Sequence, residues 1–296
     1  MSFSSVKSFI SQFLKLSKDL IKTPHCEKSD VLYLVKTART NFGLRQLLRS
    51  NRPKLSKSAI QNDKNGIIKT QMLFLIGFDS KETMKEKKII ESEIQEFGDF
   101  IIGDYFDAYQ NLTKKVSFYN NNGTLIIVKT FSAHRYVNDH CGDVQNVLIR
   151  DDDTLINEND LKQLVSGGIK PMRPYCLANV RHINSFVIRK NSILSFFKPR
   201  DLLAKYAQTT DEYPLSIFPP YCGGACALFS ADYLRIIYAT ARHTNPGIFL
   251  HDDVFFTGIL RTKANLNLPE NIYGVCQYFN GESSISSIKA MIANGT

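Results

Sequence analysis

At 296 residues and 43% apolar content, the chain can bury one large core or two smaller ones. None of its apolar runs approaches the ~18 residues that a membrane span requires. The net charge of +9 is lopsided, because residues 1–70 carry 14 of the 37 Lys and Arg but only 4 of the 28 acids. The remainder is close to neutral, which argues against nucleic-acid binding by the body of the protein.

Met1–Lys22 places Val6, Phe9, Ile10, Phe13, Leu20 and Ile21 near helical spacing among lysines. This predicts a basic amphipathic helix that docks on its own domain or lies on an anionic membrane, and residues 1–28 form a segment of their own. From 29 to 296 strands and helices alternate, the pattern of an α/β fold with a mostly parallel central sheet flanked by helices. Val31–Val35 reads as the first strand and Phe42–Arg49 as a returning helix. Arg52–Gly66 is a polar loop. Met72–Ile76 is a strand ended by Gly77, Lys81–Phe97 a helix, and Phe100–Ile102 a short strand. Residues 116–129, with Asn122-Gly123 as a turn, read as an inserted hairpin-like segment. Ile183–Ile188 has the look of a strand. Pro214, Pro219 and Pro220 forbid a helix before Gly223 and Gly224, whose missing side chains permit close backbone approach to a ligand or simply make a turn. Ala231–Arg242 is helical, and His251-Asp252-Asp253-Val254 opens another helix.

The chemistry concentrates where Val147–Ile149, a buried-strand signal, runs into Asp151, Asp152 and Asp153. In open α/β sheets ligands bind beyond the carboxyl ends of the strands. In extended backbone Asp151 and Asp153 point to the same side, so their carboxylates converge on one cation. The plainer reading is a solvated acidic turn. The six cysteines (Cys26, Cys141, Cys176, Cys222, Cys226 and Cys276) allow three disulfides or buried thiols. Cys222-x-x-x-Cys226 lacks the second pair of a tetrahedral zinc site.

Six blocks stand in order: VLYLVKTARTNFGLRQLLR from Val31, EIQEFGDFIIGDYFDAYQNLT from Glu93, DDDTLIN from Asp151, KPRDLLAKY from Lys198, FPPYCGG from Phe218 and HDDVFFTG from His251. Over roughly Val31 to Leu260 the sequence resembles the β-1,3-galactosyltransferase and β-1,3-N-acetylglucosaminyltransferase family, the group that includes Fringe. The resemblance implies a GT-A fold and an inverting hexosyltransferase that moves galactose or N-acetylglucosamine from a UDP-sugar to a hydroxyl of a glycan or glycoprotein. It further implies Mn²⁺ and a Golgi-lumenal setting behind an N-terminal membrane anchor.

By position, the resemblance makes Asp153 the metal ligand, Asp152 a water-mediated partner, and Asp151 a ribose contact or a second metal ligand. Arg45 and Arg49 match basic positions suited to phosphate, Asp107 borders the nucleotide pocket, and Gly223 and Gly224 lie beside the donor sugar. Asp253 is expected to be the general base, with Asp252 the runner-up, and one of the two is expected to cap a helix. The sequence departs from the family pattern in lacking tryptophan, with Asn51, Tyr136 and Tyr206 in its place, in having Asp252 where Glu is usual, and in having no histidine after His251. The competing functions are a family member without catalysis and a basic peripheral binding protein driven by residues 1–70.

Overall fold

The computed structural model describes residues 20–50, 68–78, 82–106, 122–178, 181–183, 185–189, 207–244 and 251–278. Residues 1–19, the loop Arg52–Gly66 and Asp107 lie outside them.

The first strand, β1 (Leu20–Lys22), falls where the last residues of the N-terminal amphipathic helix were expected. It pairs antiparallel with β4, and Cys26 is bonded to Cys141, so the chain is tied into the body well before residue 28. There follow β2 (Val31–Lys36), α1 (Phe42–Ser50), β3 (Thr70–Phe78), α2 (Met84–Phe97), β4 (Phe100–Phe106), α3 (Asn122–His140), β5 (Asn146–Asp151), β6 (Thr154–Ile156) and α4 (Glu158–Ser166). After them come β7 (Tyr175–Cys176), β8 (Arg181–His182), β9 (Tyr221–Cys222), β10 (Cys226–Ser230), α5 (Ala231–Arg242), the π-helix α6 (Val254–Leu260), the turn of helix α7 (Arg261–Lys263), β11 (Glu270–Asn271) and β12 (Cys276–Tyr278). The main sheet runs β1-β4-β3-β2-β5-β10-β7-β11. Its centre, β4-β3-β2-β5, is parallel, and β10 adds antiparallel to β5.

The central strands are covered on both faces, which is why they read as unbroken apolar runs. Leu32, Leu34, Val147 and Ile149 face a cluster with Phe131, Tyr136 and Val137 of α3, Leu234 of α5 and Phe256 of α6. Val31, Tyr33, Val35 and Leu148 face the opposite cluster with Leu48 of α1, Ile90 of α2 and Leu161 of α4. From β2 the chain steps outward to β3 and β4, then α3 carries it back to the other side of β2 as β5. This reversal opens a crevice beyond the carboxyl ends of β2 and β5.

Three local expectations are corrected. The hairpin over 116–129 is not formed in its described part, because residues 122–129 are the start of α3. The strand β3 does not end at Gly77; it runs on to Phe78, which pairs with Phe106 of β4, and Tyr105 lies across Gly77, where a side chain would not fit. Among its described residues, Ile183–Ile188 contributes only an isolated bridge between Phe186 and Ile217. The cysteines form three disulfides, Cys26–Cys141, Cys176–Cys222 and Cys226–Cys276. The last two fasten the segments on either side of the Gly223–Gly224 loop.

Candidate active site

Lys36 closes β2 and stands in register with Asp151, which closes β5. Its ammonium lies 3.1 Å from Asp151 Oδ1 and 3.5 Å from Asp252 Oδ2, and donates to the Gly224 carbonyl at 3.0 Å. An ammonium has three N–H donors, and here three acceptors from three separate elements receive them. Lys36 thus binds the end of β5, the glycine loop and the turn before α6 into one cluster at the mouth of the crevice.

The acidic triplet divides its work. Asp152 is buried, its Oδ2 accepting from Thr37 Oγ1 at 2.6 Å and from Asn41 Nδ2 at 2.8 Å. It fastens the β2–α1 connection rather than facing outward. Burial raises the pKa of Asp151 despite Lys36. Asp153 has a buried Oδ1 without a hydrogen-bond partner. Burial first, then the charges of Asp151 and Asp152, push it up to about 7.

On the far side of Lys36, Asp252 Oδ2 also accepts from Thr130 Oγ1 of α3 at 2.6 Å. Asp253 Oδ1 accepts from the Val254 N–H at 2.8 Å as the π-helix begins, the capping contact expected of one member of the pair. Burial and then the neighbouring charge of Asp252 raise Asp253 to about 7, against the N–H donors of Val254 and Gly224 and the charge of Lys36. A Cβ on Gly224 would stand 3.5 Å from Asp253 Cβ and 3.7 Å from Lys36 Nζ, so the glycine loop rests directly on the carboxylate pair. Thr257 holds the pair in place from behind. Its hydroxyl donates to the Asp253 carbonyl at 2.6 Å and accepts from the Cys222 N–H at 3.0 Å.

Asp151, Asp252, Asp253 and Gly224 are therefore brought together, with Gly223 beside them in the same loop. Arg45 and Arg49 are not. Arg45 is fully buried, forks onto Glu93 at 2.9 and 2.8 Å, and donates to the Ala38 and Arg39 carbonyls at 2.6 and 2.9 Å. Arg49 pairs with Glu93 at 2.6 Å and Asp99 at 2.8 Å, and stacks over Phe97. Both arginines are structural, bracing α1 and α2 and shaping the loop that carries Thr37. Sequence reasoning passed over Lys36, Thr37, Asn41 and Thr130. Of these only Lys36 left a signal, a lone charge closing an apolar strand at its carboxyl end.

Behind Thr130 lies His134, wholly buried, stacked on Phe256 with ring centroids 4.7 Å apart. Its Nδ1 is 2.7 Å from the Thr130 carbonyl, so that nitrogen carries the proton. Burial lowers its pKa to about 4, although the Thr130 carbonyl and Asp252 pull the other way. A depressed folded-state pKa gives stability that is complete above the unfolded value near ~6.5 and is lost as pH falls toward ~4, up to about 3 kcal/mol here. His134→Phe is accordingly expected to flatten the fall in stability between those limits. Urea unfolding midpoints measured across the range check this, and an unchanged slope would refute it.

A crevice at the switch point of a mostly parallel sheet, edged by carboxylates and closed by a glycine loop, is the layout of an enzyme that handles a nucleotide-linked group. The family model described as Galactosyltransferase matches residues 50–124 and 117–271, and the chain belongs to that family of glycosyltransferases. Human β-1,3-galactosyltransferase 1 is 29% identical over 273 residues, spanning 88% of this chain and 71% of that protein. Human UDP-GalNAc:β-1,3-N-acetylgalactosaminyltransferase 1 is 28% identical over 203 residues, 67% of this chain and 52% of the other. Among solved structures, mouse xyloside xylosyltransferase 1 in its apo form overlays with a TM-score of 0.32 and 12% identity, covering 82% of this chain and 84% of that one. At that score the likeness is too slight to bear on function. The sheet order and its helical layers are consistent with the GT-A fold implied by the resemblance.

Proposed function

We propose that this glycosyltransferase moves galactose or N-acetylglucosamine from a UDP-sugar to a hydroxyl of a glycan or glycoprotein, forming a β-1,3 linkage with inversion. The observation that carries this reading is the cluster in which Lys36 joins Asp151 on one side to Asp252 and the adjoining Asp253 on the other. An inverting transfer needs one group to take the proton from the attacking hydroxyl. Asp253 suits that role, because its pKa is raised toward neutrality and it is not the carboxylate that Lys36 and Thr130 engage. Asp252 is occupied by those two partners and acts as the counter-ion of Lys36. The Gly224 loop, pressed against the pair, leaves the backbone close to where a sugar ring would lie.

The donor set also suits a hard divalent cation such as Mn²⁺. Asp153 offers a buried, unpartnered oxygen, and Asp151 has one oxygen not held by Lys36. Among the described residues no group of three His, Cys, Asp or Glu is placed to hold a metal, so the phosphate oxygens of the donor would complete the shell. When bound, the cation supplies positive charge to the leaving diphosphate. Asp153→Asn is expected to abolish Mn²⁺-dependent UDP binding while leaving the fold intact. Calorimetry showing wild-type UDP affinity in that variant would remove the metal assignment.

Three disulfides fit an oxidising compartment, which supports a place in the Golgi lumen. No helix among the described residues is long and apolar enough to cross a membrane. The direct test of the whole reading is a screen for transfer and hydrolysis of UDP-sugars with and without Mn²⁺. Binding of UDP without turnover of any hexose donor would favour a family member that has lost catalysis.

A further inference from the structure

Alongside the crevice stands a surface that the reaction leaves unused. Phe186 and Ile217 face each other in their antiparallel bridge, flanked by hydrogen bonds from the Val187 N–H to the Ser216 carbonyl and from the Phe218 N–H to the Ser185 carbonyl, both 2.9 Å. That placement makes them a non-hydrogen-bonded pair, whose side chains lie close together on one face. Alternation sends Val187 and Phe218 inward, where both are buried, and leaves Phe186, Leu215 and Ile217 facing solvent. Phe186 is 77% exposed and Leu215 61%, so packing within the chain does not account for either. From Tyr213 to Pro220 no charged residue interrupts the apolar strip.

The strip is held in shape from behind. Arg189 donates to the carbonyls of Thr209 at 3.0 Å, Tyr213 at 2.6 Å and Leu215 at 2.6 Å, and the Tyr213 hydroxyl donates to the Ile217 carbonyl at 3.2 Å. On the inner side the Phe218 ring meets those of Tyr213 and His251, with centroids 5.0 and 6.1 Å apart. His251 immediately precedes Asp252 and Asp253. Pro219 packs on Gly258 of α6, where an added Cβ would stand 3.2 Å from the proline Cγ. The strip thus adjoins the turn that carries the base, away from the donor end at Asp151 and Asp153. Its size and chemistry select an occupant. Three side chains so exposed offer on the order of 300 Å², whereas a stable protein interface buries ~800 Å² on each partner. A sugar ring needs polar side chains to meet its hydroxyls, and Phe186, Leu215 and Ile217 supply none.

We infer that Phe186, Leu215 and Ile217 form an acceptor subsite for an apolar aglycone, the alkyl or aryl group attached to the sugar whose hydroxyl is brought to Asp253. The inference rests on the hexosyltransferase reading above and extends it to what the acceptor sugar carries. Laying methylene groups on the strip takes apolar surface of both partners out of water, and the reacting atoms at Asp253 are unaffected. The gain therefore falls in KM and leaves the turnover number where it was.

The test compares methyl and octyl β-glycosides of galactose and of N-acetylglucosamine as acceptors, below the micelle concentration, with UDP-galactose and UDP-N-acetylglucosamine as donors and Mn²⁺ present. Wild type is assayed beside Phe186→Ser and Leu215→Ser, singly and combined. Wild type is expected to use the octyl acceptor about tenfold better in kcat/KM, through KM, the gain from covering roughly two methylene groups. The combined variant is expected to lose that preference while its turnover of the methyl glycoside, its UDP affinity and its urea midpoint hold, and each single variant loses part of it. Equal use of the two acceptors by wild type, or an octyl preference that survives in the variants, would overturn the subsite alone. A wild-type dimer in sedimentation, or binding to uncharged phosphatidylcholine vesicles, that the variants lose while keeping the octyl preference would assign the strip to a second copy or to a membrane instead. Wild type that transfers hexose to no acceptor would overturn the hexosyltransferase reading and the subsite together.

Discussion

Replacing Asp253 by Asn is expected to lower the turnover number by about 10²–10⁴-fold and to leave UDP affinity unchanged. The amide keeps the shape of the carboxylate and its acceptor oxygen toward the Val254 N–H, so the start of α6 is preserved. What it loses is the ability to take the acceptor proton. The same group sets a pH dependence. A base must be deprotonated to act, so the rate of the wild type is expected to rise as pH rises through about 7, the value to which burial and Asp252 lift Asp253. Asp252→Asn removes the like charge, and its acid limb is expected to shift to lower pH. A fully active Asp253→Asn beside a dead Asp252→Asn would reverse the two roles.

Arg45→Met is expected to cost about 3 kcal/mol of stability, because it leaves Glu93 Oε2 and two loop carbonyls without their donor while Arg49 keeps hold of Glu93 Oε1. Arg45→Lys rescues little, since a single ammonium cannot fork onto Glu93 and also reach the loop. The damage should spread to the site, because Arg45 Nη1 donates to Thr37 Oγ1 at 3.2 Å and Thr37 in turn holds Asp152. A phosphate-binding arginine would behave in the opposite way, weakening UDP binding at constant stability. Denaturant midpoints together with UDP titration separate these outcomes, and an unchanged midpoint would sink the structural assignment.

The strands β2, β3 and β5 were legible because buried parallel strands need continuous apolar residues, and each run was bounded by polar or turn-forming neighbours. The helices α1, α2 and α5 declared themselves by the spacing of their apolar residues, although α2 begins at Met84 rather than at Lys81, where Thr83 and Glu86 form a capping box. Residues 122–129 misled because Asn-Gly is a strong hairpin signal and a short β-branched run fits strand and helix alike. Their downstream neighbours decided the matter: Phe131, Tyr136 and Val137 bury one face of α3, and a helix once nucleated extends.

The sequence by itself determined the family, the acidic strand end and the pair at Asp252 and Asp253, since each is a local block of adjacent residues. The tertiary structure alone decided how they meet. Lys36 finds its acceptors 188 and 216 residues away along the chain, at Gly224 and Asp252, a juxtaposition that no local period records. It also decided between the two roles open to an arginine. Arg45 and Arg49 carry the same charge whether they face a phosphate or a carboxylate. Only the packing of α1 against α2, which sets Glu93 and Asp99 beside them, makes them part of the frame.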